Sequence, residues 1–160
     1  MEKFLENLIE AERNLRTLDH IVYITFPLIK DKRLLLKVIQ ETKEALTRCI
    51  TAILQYEYMY KRINLYKDSG ENLRTFKEKC APRYRITTEE IRKIERLFDL
   101  AEKHKQSQFE FMRKDKLVVL SENMKPTTIT LETVKEFLSL AKEIVKKSRQ
   151  EIEKNFTSEK

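Results

Sequence analysis

Residues 33–63 read RLLLKVIQETKEALTRCITAILQYEYMYKRI. Within this stretch Leu35, Ile39, Thr42, Leu46, Cys49, Ile53, Tyr56, Tyr60 and Ile63 recur at alternating steps of four and three, and only Thr42 among them is polar. That spacing marks one stripe of an α-helix. A parallel row of Val38, Ala45, Ala52 and Met59 widens the stripe. A helix of about 30 residues with so broad an apolar face needs neighbours on two sides. It is expected over residues 32–66 as the central member of a bundle.

Working outward, Phe4, Leu8, Ala11, Leu15, Leu18 and Val22 keep the same alternation and predict a helix over 2–25, ended by Pro27. Asp31 suits the cap of the next helix, because its carboxylate can accept from free first-turn amides. Residues 67–71, centred on Ser69 and Gly70, read as a loop before a short helix over 72–80 and a break at Pro82. Thr87-Thr88-Glu89-Glu90 is a capping box opening a helix over 88–113 through Ile91, Ile94, Phe98 and Ala101. Leu131, Val134, Leu138, Ala141, Val145, Ser148 and Ile152 give a last helix over 131–156. Leu117 to Leu120 and Thr127 to Thr130 are β-like, a small hairpin near 117–130. The fold class is all-α: one helical-bundle domain over residues 1–160, with four main helices and one short helix.

Composition narrows the function. The chain has 160 residues and one glycine, Gly70. It therefore lacks the Gly-rich loops of dinucleotide and P-loop sites, which need several positions only Gly tolerates. Apolar runs are too short to span a bilayer, and the opening residues Glu2, Glu6, Glu10 and Glu12 do not form a secretory leader. No membrane partner and a cytoplasmic location are expected. Cys49 and Cys80 form no CxxC pair and have no His pair nearby, so neither a disulfide scaffold nor a metal site is expected, and no cofactor motif is present. Neither His20 nor His104 has a Glu three positions before it, which rules out a di-iron bundle.

The net charge of +7 favours an acidic partner. It is placed unevenly: residues 1–26 sum to −2, 27–64 to +4 and 65–88 to +3. Lys61, Arg62, Lys67, Arg74, Lys77, Lys79, Arg83 and Arg85 fall in one stretch, interleaved with Tyr66, Phe76 and Tyr84 and preceded by Tyr56, Tyr58 and Tyr60. Cations neutralise phosphates and aromatic faces stack on unpaired bases. The eight cations and Tyr84 are thus the candidate nucleic-acid-binding residues of a non-enzymatic module for RNA or a ribonucleoprotein surface. The competing account puts Tyr56 and Tyr60 in the core, with the Lys and Arg side chains only solvating the outside. A homodimeric scaffold is a further reading if part of the long helix's stripe stays uncovered.

Arg13 and His20 are seven residues apart, on one helical face, and Asn14 follows Arg13. Here the chain resembles the HEPN family of small helical bundles, whose ribonuclease members carry Arg, a polar residue and, after four to six intervening positions, a His. The resemblance implies metal-independent RNA cleavage, with Arg13 stabilising the phosphorane and His20 moving the proton. In those ribonucleases the motif lies towards the end of the domain, whereas here it lies in the first helix. Both side chains are expected to project outward, so a second copy would have to cover them. Asp19 to Asp31 is also similar to a segment of uncharacterised archaeal helical proteins, a likeness that brings no activity with it.

Overall fold

The computed structural model describes residues 2–106, 109–113, 116–120 and 126–158. Helix α1 is continuous from Lys3–His20 through a π-helical turn, Ile21–Thr25, into a last turn, Phe26–Ile29. Helix α2 is Arg33–Met59. The short α3 comprises Ser69–Thr75 and a π turn, Phe76–Cys80. Helix α4 is Thr88–Gln106 and α5 is Leu131–Ser158. Strands β1 (Phe109–Arg113), β2 (Lys116–Leu120) and β3 (Pro126–Thr130) lie between the last two helices. The protein is an all-α bundle with a small sheet inserted.

The four long helices run up and down. Asn7 near the start of α1 donates to Gln55 near the end of α2 at 3.0 Å, and Phe4 packs edge-on against Tyr56. Glu12 and Asp19 pair with Arg149 and Lys142 of α5, in antiparallel order. Gln40 of α2 donates to the Ala101 carbonyl of α4 at 2.8 Å. Helix α2 touches α1, α4 and α5, which is what its wide stripe requires. Leu46, Ile53, Leu138 and Ala141 are buried at its waist. The parallel row is buried as well, apart from Met59. At the last turn of α2, Tyr58 and Met59 stay exposed.

Four boundaries depart from the sequence expectation by three residues or more. Helix α3 begins at Ser69, inside the stretch 67–71 expected as a loop, because Asp68 caps it by accepting from the Gly70 amide. Pro27 does not end α1. A proline ring clashes with the carbonyl four residues earlier, but the π turn before it widens the backbone, with the Phe26 amide bonding to the Ile21 carbonyl, and the helix runs one turn further. Helix α2 stops at Met59 rather than 66, because Lys61 adopts the left-handed region at φ 60°. Helix α4 stops at Gln106 instead of 113. Its apolar stripe ends at Ala101, and Phe109-Glu110-Phe111 alternates at the strand period of two.

The predicted hairpin becomes a three-stranded antiparallel meander in the order β1-β2-β3, with Phe111 opposite Val118 and Leu117 opposite Ile129. The link at 121–125 lies outside the described residues. Ile129 is fully buried, which seats β3 on the bundle. Among the described residues no helix is long and apolar enough to cross a membrane.

Candidate nucleic-acid interface

The basic stretch begins where α2 ends. The Arg62 amide bonds to the Glu57 carbonyl and the Lys61 amide to the Tyr58 carbonyl, a Schellman cap with Lys61 in the left-handed position. The same bonding recurs after α3, where the Ile86 amide reaches Ala81 and the Arg85 amide reaches Pro82, with Arg85 at φ 60°. With a single glycine in the chain, basic residues take both left-handed caps, at about 1 kcal/mol of strain each. Their side chains are thereby held out at the chain reversals.

One buried carboxylate joins the two caps. Glu57 is 2% exposed, and its Oε2 accepts from Arg62 at 2.8 Å while its Oε1 faces the Arg83 Nε at 3.2 Å. The Arg62 guanidinium also lies 5.7 Å from the Tyr56 ring centre and 5.1 Å from that of Tyr60. A buried carboxylate persists only when paired, so Arg62 and Arg83 are committed to the fold. Tyr84 is fully buried, and burial raises its phenol above the ordinary tyrosine range. Its ring offers no face to a base. Arg74 is shared between Glu71 and Glu78, and Lys77 pairs with Glu95 at 3.7 Å.

Lys61, Lys67, Lys79 and Arg85 remain exposed, and among the described residues no ion pair holds them. Two exposed aromatic rings near Lys61 and Lys67 in sequence lie outside the candidate set of eight cations and Tyr84. Tyr58 is 54% exposed and Tyr66 47%. Tyr58 falls off the four-three seam between Tyr56 and Tyr60, and that phase is the signal that separates it from its core neighbours. Tyr66 is fixed by a two-point clamp: its amide donates to Asn72 Oδ1 at 2.9 Å, and Asn72 Nδ2 donates to its carbonyl at 2.8 Å. Asp68 caps α3 by accepting from the Gly70 amide. Asn72 also lines a cleft of about 510 Å³, whose apolar wall is Ile50, Leu54, Leu65, Leu73 and Phe98 and whose rim carries Lys43.

Within one copy of the chain Arg13 and His20 both lie on the surface, as their helical phase implies. Arg13 is exposed and bonded to Glu10 at 2.9 Å, His20 is exposed at the end of the α-helical run, and the two are about 10 Å apart along the axis. Asn14 opens instead into a cavity of about 250 Å³ with Glu41, Glu44 and Arg48. Two carboxylates there oppose a phosphate. The groove of about 360 Å³ between α1 and α5 is lined by Arg16, not Arg13, and is crossed by the Glu12–Arg149 and Asp19–Lys142 pairs. Cys49 and Cys80 are both fully buried, and burial pushes their thiols up to about 12. Among the described residues no three His, Cys, Asp or Glu side chains gather as a metal cage. Compared with protein families, curated proteins and solved structures, the chain gives no match.

Proposed function

We infer that the protein is a non-enzymatic binding module whose acidic partner is single-stranded or loop-rich RNA, held at the end of the bundle where α2 meets α3. The observation that carries this reading is the pair of exposed rings, Tyr58 on the last turn of α2 and Tyr66 on the connection that Asn72 clamps, with the exposed Lys61 between them in sequence and Lys67 next to Tyr66. Stacking on a tyrosine face is tolerant of base identity, and ammonium groups neutralise phosphates without reading sequence. Lys79 and Arg85 extend the cationic surface on the neighbouring turn, and the Leu65–Phe98 cleft has room for an unstacked base.

Anisotropy titration with a single-stranded RNA oligomer tests it. Affinity should fall steeply with salt, through counterion release. Tyr58→Ala and Tyr66→Ala should each weaken binding by about 1–3 kcal/mol. Lys61→Gly is the discriminating variant: it relieves the left-handed strain, so the fold should be at least as stable while affinity drops. Reversal of Lys146, exposed on α5, serves as the control. Equal losses from Lys146→Glu and Lys67→Glu would reduce the interface to general basicity and overturn the reading.

A further inference from the structure

The opposite end of the bundle carries a second surface, of different chemistry. Tyr23, Ile24, Leu28 and Ile29 are exposed by 49%, 53%, 80% and 62%. They form the apex of the α1–α2 hairpin. The π turn and Pro27 carry α1 past its last core residue, Phe26, and Lys30 then reverses the chain at φ 57°. Apolar side chains clustered this way on a projecting tip mark a contact surface.

Cations surround the apex. Lys30, Arg33 and Lys37 are exposed on the hairpin and Lys32 is half-buried. The ammonium groups of Lys135 and Lys142 from α5 lie 5.2 and 6.0 Å from the Tyr23 ring centre. The nearby acids are mostly engaged: Asp31 by Arg33 at 2.7 Å, Asp19 by Lys142, and Glu136 by Lys93 at 3.9 Å, with Glu132 exposed. An apolar tip with a basic collar is complementary to an anionic bilayer, whose phosphates lie above its acyl chains.

We propose that the α1–α2 apex docks onto an anionic lipid bilayer surface. Leu28 and Ile29 enter the acyl boundary, Tyr23 rests at headgroup level, and Lys30, Lys32 and Lys37 meet lipid phosphates. Attachment of this kind needs no spanning helix, which was the ground for expecting no membrane partner. A second copy fits the tip worse, since a two-fold axis would set each basic collar against its equivalent. The proposal uses none of the RNA-facing residues, so either reading can fail alone.

The test is co-sedimentation of the full chain with phosphatidylcholine vesicles, with and without phosphatidylserine. Binding is expected only with phosphatidylserine, and Leu28→Glu/Ile29→Glu should weaken it by at least about tenfold. Both positions are exposed, so the variant should keep the parent's circular dichroism. The chain lacks Trp, so Leu28→Trp supplies a lone reporter whose emission should shift to the blue on phosphatidylserine vesicles. No pelleting with phosphatidylserine overturns the proposal, as does pelleting unchanged in the double-Glu variant, which would trace it to the cations elsewhere. A dimer in light scattering that the same variant dissociates would assign the apex to a second copy, and that also overturns it.

Discussion

Glu57 shows why a basic residue in a basic stretch is not automatically a ligand contact. At the position where a Schellman cap commonly has an apolar pair, this chain has a carboxylate and a guanidinium, and Arg83 joins them from a second cap. Removing one partner leaves the buried charge half-compensated, which costs more than the pair contributes as a whole. Arg62→Ala should therefore lower unfolding stability by about 3 kcal/mol, measured by urea denaturation. Arg83→Ala should cost less, because its side chain is 37% exposed and water can take its place beside Glu57. A loss below about 1 kcal/mol for Arg62→Ala would mean that the pair is held by solvent, as a surface bridge is. It would also return Arg62 to the candidate cations of the proposed RNA interface.

At the scale of elements, the capping box of α4 is the case where local chemistry was fully legible. The Thr87 amide donates to Glu90 Oε1 at 2.9 Å, and the Glu90 amide donates to Thr87 Oγ1 at 3.1 Å. Lys147 of α5 then reaches Glu90 at 2.9 Å, so the cap also ties two helices together. Partial burial raises the Glu90 carboxyl, but the Thr87 amide and Lys147 outweigh it and hold the group below its ordinary 4.5. A depressed carboxyl contributes stability that is present above its unfolded value and lost as pH falls through its folded value. Glu90→Gln should thus destabilise at neutral pH, with the gap to the parent closing in acid. Thr87→Ala should cost about 1 kcal/mol. Thermal melts across an acid series check both, and a gap that persisted in acid would remove the charge from the explanation. The four-three stripes were legible for the same reason as the cap, since each rests on a few adjacent residues. The continuation through Pro27 is not legible because the π turn that accommodates it leaves no mark in residue type, and the strand over 109–113 is obscured because its period of two directly follows a helical stripe. Tyr84 misled because burial in an irregular turn has no period to follow.

The whole molecule is two chemically distinct ends joined by one packed shaft. Lysines and exposed tyrosines occupy the end at Tyr58 and Tyr66, an apolar tip with a basic collar occupies the end at Leu28, and between them α2 is buried against α1, α4 and α5. Ile53 lies in that shaft with no exposed surface. Truncating it leaves a void that helices fixed by cross-bundle pairs can close only in part, so Ile53→Ala should cost about 2–5 kcal/mol. A core shared by four helices should also be lost at once: helical circular dichroism and tyrosine fluorescence should give coincident denaturation curves in both parent and variant. Ile53 touches neither end surface, so the folded variant should match the parent in the RNA and vesicle titrations that test the two proposals. Separated curves would divide the shaft into independent units. A binding defect in a variant that is still folded would show that the shaft couples the two ends rather than merely holding them apart.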